Sequence, residues 1–177
     1  PLTGADNRQA LTEAVAELNH QRPGLMAALF VLDLHEFQRI NDACSHEVGD
    51  EVLREVARRL RTLLFAYGKW ALPQEPKVGS LLSARLVRVG SDELALWLPD
   101  WSATAAASRV AEDLLAALDG PFQIGELTLH MRGSVGYVVD RLGGLTGNEW
   151  LTRANAATQQ AKRIGVGQHA AFADEQI

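Results

Sequence analysis

The stretch Arg85-Leu86-Val87-Arg88-Val89-Gly90-Ser91-Asp92-Glu93-Leu94-Ala95-Leu96-Trp97-Leu98-Pro99 decides how the chain is read. Two β-rich apolar runs flank a Gly-Ser pair that is followed by two adjacent acids. Gly-X between such runs predicts a β-hairpin closed by a two-residue turn, with the glycine at the position needing φ > 0. Asp92 and Glu93 then lie just past the turn. Neighbouring strand residues point to opposite faces, so the two carboxylates cannot do the same job. On this stretch alone a solvated acidic turn and a functional site are equally open readings. A further acid, Asp33, at the end of another apolar run shifts the balance towards function.

Asp33 closes Leu25 to Leu34, a nearly all-apolar run bounded by Pro23-Gly24. The run is too short for a typical buried helix and reads as a central strand covered on both faces. The carboxyl end of a strand in an open sheet is where ligands gather, which gives Asp33 weight. Before it, Leu11, Val15 and Leu18 recur at helical spacing. After it, His35 to Cys44 reads as a short helix with Phe37, Ile40 and Cys44 inward and Gln38, Asn41 and Asp42 outward. Ser45 or Asp50 then caps a helix whose stripe is Val52, Leu53, Val56, Leu60, Leu63 and Leu64. Gly68 to Ser80, with Trp70, Pro73 and Pro76, is long and irregular enough to count as an insertion.

Beyond the hairpin, Ser102 or Thr104 starts an alanine-rich helix that Asp119-Gly120-Pro121 ends. Phe122 to Ile124 and Leu127 to Val139 make a further strand pair, the second strand alternating so as to bury one face. Asn148 is a candidate cap for a helix reaching Arg163, and Gln168 to Phe172 forms a last short strand. Helices packing a sheet that contains a tight hairpin make the fold α+β, with a mixed, partly antiparallel sheet.

The bulk composition sets limits. The 177 residues, 47% hydrophobic and 22% charged, make one domain, residues 1–177, with enough chain for a full core. A net charge of −5 without any long basic block argues against nucleic-acid or membrane-surface binding. The single cysteine, Cys44, fits a reducing compartment, and no membrane span or signal peptide is visible, so a cytoplasmic setting is expected. The abrupt start at Pro1 is read as excision from a larger protein.

Asp33, Asp92 and Glu93 are hard-oxygen donors with no nitrogen or sulfur cluster beside them. Such a set suits Mg²⁺, which keeps waters and binds substrate phosphates as well. The five histidines show no pair at zinc-ligand spacing. Trp97, Trp101 and Trp150 read first as packing residues. Asp50 can equally be a helix cap, and Lys162-Arg163 can equally be charges that match a helix dipole.

Taken together, Pro1-Leu2-Thr3-Gly4 with Asn7-Arg8, Asp33-Leu34-His35-Glu36-Phe37-Gln38-Arg39-Ile40-Asn41-Asp42, His46-Glu47-Val48-Gly49-Asp50 and Gly90-Ser91-Asp92-Glu93-Leu94 resemble the GGDEF domain of diguanylate cyclases. Ser134-Val135-Gly136 and Ala161-Lys162 with Gly165 extend the resemblance over essentially the whole chain. It implies a ferredoxin-like fold shared with nucleotidyl cyclases and polymerase palms, and condensation of two GTP to cyclic di-GMP by two facing domains. It also implies a metal site of Asp33, the Leu34 carbonyl and Glu93, holding Mg²⁺ or Mn²⁺. Asp92 and Glu93 would be catalytic, and Asn41 and Asp50 would read guanine. Phe37, Gly90, Ser91 and Lys162 would complete the substrate site, with Lys162 on the phosphates. Implied partners are GTP, a second copy of the domain, and an adjoining sensory or EAL-type phosphodiesterase domain.

The departures from the family pattern are equally specific. Ser91 stands where glycine is expected, at a turn whose bare backbone approaches the phosphates. Leu94 replaces Phe, His35 replaces Asp, Gln38 replaces Lys, and Gly165-Val166-Gly167 lacks the family's Arg. Leu81 and Ala84 occupy the positions of an inhibitory Arg-x-x-Asp. The expectation is therefore a degenerate domain with a regulatory or GTP-binding role and little turnover. An active Mg²⁺-dependent cyclase, favoured by the retained acids, is the alternative, and a nucleotide-independent structural module is the third reading.

Overall fold

The computed structural model describes residues 4–66, 81–101 and 106–173. Pro1–Thr3, the Gly68–Ser80 insertion and the expected caps Ser102 and Thr104 lie outside the described residues. The molecule is organised around β1 (Met26–Leu34), the middle strand of a five-stranded sheet. On its two sides run β3 (Glu93–Pro99) and β6 (Gly133–Arg141), both antiparallel to it. The edges are β2 (Arg85–Arg88), antiparallel to β3, and β7 (His169–Ala171), parallel to β6. The structure shows the expected α+β class with a mixed sheet, expected as partly antiparallel and in fact antiparallel in every strand pairing but β6–β7.

The apolar run of β1 is explained by burial on both faces. Ala28, Phe30, Leu32 and Leu34 enter one core with α3 (His46–Ala66) and α4 (Ala107–Ala116). Ala27, Leu29 and Val31 enter a second core with α1 (Arg8–Gln21) and α5 (Gly147–Ile164). Each large apolar side chain so buried contributes about 1.5–3 kcal/mol, which fixes β1 and hence the position of its carboxyl end. The short α2 (Phe37–Ala43) leaves that end, with Phe37 turned into the first core. Trp97 and Trp150 meet edge to face at 5.0 Å between ring centres, and Trp101 is buried as well, so all three are packing residues.

Several local expectations are corrected. Leu127 to Val139 is two strands, β5 (Leu127–Leu129) and β6, broken at His130–Arg132. β5 pairs only with β4 (Phe122–Ile124), in a separate hairpin where Leu127 is 42% exposed. β6 is buried on both faces from Gly133 to Val138 rather than on one. Cys44 is exposed, not inward. Ser45 caps α3, its Oγ accepting from Val48 N at 3.2 Å, while Asp50 lies inside the helix. Thr146, not Asn148, caps α5: Thr146 Oγ1 accepts from Glu149 N and the Glu149 carboxylate accepts from Thr146 N, a reciprocal capping box.

Candidate functional site

The carboxyl end of β1 and the start of β3 bring the acids together. Asp33 is the cross-strand partner of Glu93 on one side and of Ser134 on the other. Directly opposed residues share a face, so the Asp33 and Glu93 side chains project together, on the side of the sheet that carries α1 and α5. Asp33 is 6% exposed and would be a costly lone charge there. It is not alone, because Lys162 from the last turn of α5 places its ammonium against Asp33 Oδ2. The lysine anticipated for phosphates is thus anchored on a metal-type carboxylate. Next to it, His35 Nε2 and Ser134 Oγ are 2.7 Å apart.

The hairpin turn differs from the two-residue type. The strands stay in register to Arg88 opposite Leu94, and Val89 N donates to Glu93 O at 3.1 Å, leaving Gly90, Ser91 and Asp92 as the loop. Gly90 is not among the glycines with positive φ. Its requirement is space, since a Cβ there would lie 2.8 Å from Glu93 Oε1. Arg88 braces the loop, donating from Nε to Gly90 O and from Nη2 to Ser91 O, each at 3.2 Å. Leu34 N donates to Asp92 O at 3.0 Å, tying the loop to β1. Ser91 itself is exposed.

The electrostatics follow from this crowding. Burial and then the charge of Asp33 raise the Asp92 pKa above the ordinary carboxylate value, against an opposing pull from Lys162. Burial, Asp33 and Asp92 likewise raise Glu93, with Lys162 and Arg8 opposing. Three mutually repelling carboxylates face the Lys162 ammonium and, at Glu93, the Arg8 guanidinium, which leaves the group negative and favourable to a divalent cation. The donors are oxygens, the class that hard divalent cations accept. Among the described residues no three His, Cys, Asp or Glu side chains form a closed ligand cage. One or two carboxylates completed by substrate phosphates and waters is the arrangement in which Mg²⁺ is usually held.

A second feature lies between α2 and α3. Asn41 Oδ1 is buried without a hydrogen-bond partner, an arrangement that costs about 1–3 kcal/mol unless a donor arrives. It sits over Gly49, where a Cβ would fall 1.7 Å from Asn41 Oδ1 and 3.2 Å from Phe37 Cζ. Gly49 therefore makes room for Asn41, and Asp50 is the next residue along α3. Asn41, Phe37 and Asp50 are thus held by one helix pair. The positions of the missing cations are filled otherwise: Gln38 Nε2 donates to Asp42 Oδ1 at 3.0 Å, and Val166 is 54% exposed. At the inhibitory-motif positions, Ala84 is buried and Leu81 packs against the second core, so neither offers a polar group.

Arg88, Gly49 and Ser134 stand within the motifs quoted from the sequence, but none of them is assigned a role there. The Arg88 signal was its place two residues before Gly90, within reach of the loop carbonyls. Gly49 carried the clearest signal, a glycine in the first turns of a helix where it costs about 1 kcal/mol against alanine. Ser134 is fully buried opposite Asp33, and its place in the strand alternation did not distinguish it from a solvent-facing polar residue.

Comparison with known proteins agrees with this geometry. The family model described as "Diguanylate cyclase, GGDEF domain" matches residues 1–71 and 78–168. The cyclic di-GMP phosphodiesterase PdeB of Shewanella oneidensis is 32% identical over 94% of this chain and 17% of its own length. The response regulator PleD of Caulobacter vibrioides is 32% identical over 93% of this chain and 34% of its own length. The chain therefore spans between about a sixth and about a third of the length of these curated relatives. The structure of diguanylate cyclase SiaD of Pseudomonas aeruginosa, in complex with its activator SiaC, superposes with a TM-score of 0.76 at 30% identity, covering 97% of this chain and 60% of that one. With its acids gathered at the β1 and β3 ends and this model matching nearly end to end, the chain belongs to the GGDEF domain family of cyclic di-GMP signalling.

Proposed function

We propose that residues 1–177 form a single GGDEF domain that binds GTP with Mg²⁺ or Mn²⁺ and acts as a regulatory module with little or no diguanylate cyclase turnover. The observation that carries the reading is the unpartnered Asn41 Oδ1 on α2, the helix that follows the Asp33 end of β1. Guanine carries an amino group and a ring N–H that adenine lacks in those positions, and a carbonyl oxygen plus the Asp50 carboxylate are acceptors suited to them. Phe37 supplies the apolar wall behind Asn41. Asp33, the Leu34 carbonyl and Glu93 would hold the cation, which when bound neutralises charge on the phosphoryl oxygens. Lys162 pairs with Asp33 and holds its carboxylate in place.

Weak turnover follows from what surrounds the phosphates. Gln38 is engaged with Asp42 instead of offering a cation, and Val166 offers none. Each lost charge-assisted contact is worth about 1.5–3 kcal/mol, or roughly ten- to a hundredfold in binding or rate. Ser91 adds a Cβ to a loop already braced by Arg88. The same relatives support a partner in the full protein, a sensory or EAL-type phosphodiesterase module on which the nucleotide-bound domain acts in the cytoplasm. Self-pairing would matter only if turnover survives.

Calorimetric titration of GTP and ATP with Mg²⁺ tests the reading. GTP-selective heat that disappears in Asn41→Ala supports it, and equal or absent responses to the two nucleotides contradict it. Accumulation of cyclic di-GMP from a dimerised form would instead establish the active cyclase.

A further inference from the structure

A cleft of about 500 Å³ opens past the carboxyl end of β1, between α2 and the β5–β6 break, lined by His35, Glu36, Arg39, His130, Arg132 and Val166 among others. It begins two residues past Asp33. Its far wall is fixed to that strand end: His35 N donates to Arg132 O at 2.8 Å, and a Cβ on Gly133 would lie 2.9 Å from Asp33 O. Arg132 is therefore mounted on a rigid backbone while its side chain is exposed.

The charge balance inside the cleft is positive. Among the described residues no carboxylate pairs with Arg132. Arg39 pairs only with Glu36, at 3.1 Å, with the two side chains 77% and 69% exposed. Such a solvated pair is worth little and yields readily to a stronger anion. A neighbouring cleft of about 680 Å³ shares His130 and Arg132 but adds Glu112 and Asp119, so an anion is favoured on the α2 side.

We propose that the α2-side cleft is a phosphoryl-anion site in which Arg132 and Arg39 hold a polyphosphate. Guanidinium groups match phosphate oxygens in a bidentate fork, and here they stand in a region where Gln38 and Val166 supply no cation. The polyphosphate is either the tail of a nucleotide seated at Asp33 and Asn41 or that of a separate phosphorylated ligand. Only the first source rests on the nucleotide reading above.

The test is titration of the protein with tripolyphosphate without Mg²⁺ at low salt, in the unaltered chain, Arg132→Gln and Arg109→Gln. Arg109 is an exposed arginine on α4 and controls for general charge. Expected is saturable binding that weakens about tenfold in Arg132→Gln and is unchanged in Arg109→Gln. No saturable binding, or equal loss in both variants, overturns the proposal. GTP affinity falling with Arg132→Gln while guanosine affinity holds assigns the tail of the bound nucleotide, and unchanged GTP affinity assigns a separate ligand. Failure of the nucleotide reading appears separately, as GTP binding that ignores Asn41→Ala.

Discussion

Gly49→Ala separates the role of this glycine in folding from its role in recognition. The added Cβ would lie 1.7 Å from Asn41 Oδ1 and 2.9 Å from its Cγ, so Asn41 must leave its present rotamer. The move is inexpensive, because Oδ1 has no partner to lose and gains water once it swings out. Phe37 Cζ, at 3.2 Å, must give by a few tenths of an ångström, a strain at the low end of the roughly 1–3 kcal/mol that overpacking costs. Alanine in place of glycine inside α3 returns about 1 kcal/mol of helix propensity. The stability change is therefore near zero, within about 1 kcal/mol. Guanine recognition, if Asn41 provides it, should fall about tenfold or more, since the displaced Asn41 would lose the one or two hydrogen bonds proposed for it. Urea denaturation gives the first quantity and GTP titration the second. In an Asn41→Ala background the same substitution should stabilise, with no further loss of affinity. Unaltered GTP affinity in Gly49→Ala would refute the assignment of Asn41, and a stability loss above about 2 kcal/mol would refute the packing argument.

Further predictions concern fold and charge. Gly136→Ala should destabilise by about 3 kcal/mol or more in urea, because its Cβ would meet Thr158 N at 2.1 Å and Ala154 O at 2.5 Å, backbone atoms that cannot step aside. Thr146→Ala should cost about 1 kcal/mol through loss of the α5 capping box, read from the same urea midpoint. The raised pKa values of Asp92 and Glu93 mean that the folded state binds more protons than the unfolded chain just above the ordinary carboxylate range. Their contribution to stability therefore declines as pH rises from that range through the raised values. Glu93→Gln should raise the melting temperature at neutral pH, and added Mg²⁺ should raise it in the unaltered chain but not in Glu93→Gln. A lower melting temperature for Glu93→Gln would contradict the repulsion argument.

Much of this was legible in the residues because burial leaves periodic signatures. The apolar run ending at Leu34 foretold a strand covered on both faces, and the stripe from Val52 to Leu64 foretold α3. The order of the acids foretold that Asp33 and the hairpin meet, but not the contacts that define the site. Lys162 reaches Asp33 and Ser134 reaches His35 across the sheet, and no local pattern encodes such pairings. The hairpin glycine was misread because Gly-Ser suggests φ > 0, whereas Gly90 is needed for the space that Glu93 occupies. The break at His130–Arg132 was hidden because alternation continues through it although the strand changes sheets. Asn148 and Thr146 are both capping residues, and only Glu149 three places after Thr146 distinguishes them.

We propose, then, a domain whose hairpin and β1 acids hold GTP while turnover has faded. Incubating the protein with labelled GTP and Mg²⁺, collecting the protein-bound label and resolving it by chromatography tests both halves at once. The expected result is label retained as intact GTP by the unaltered chain and lost in Asp33→Ala. Label recovered as cyclic di-GMP, or no retention above that of Asp33→Ala, would contradict it.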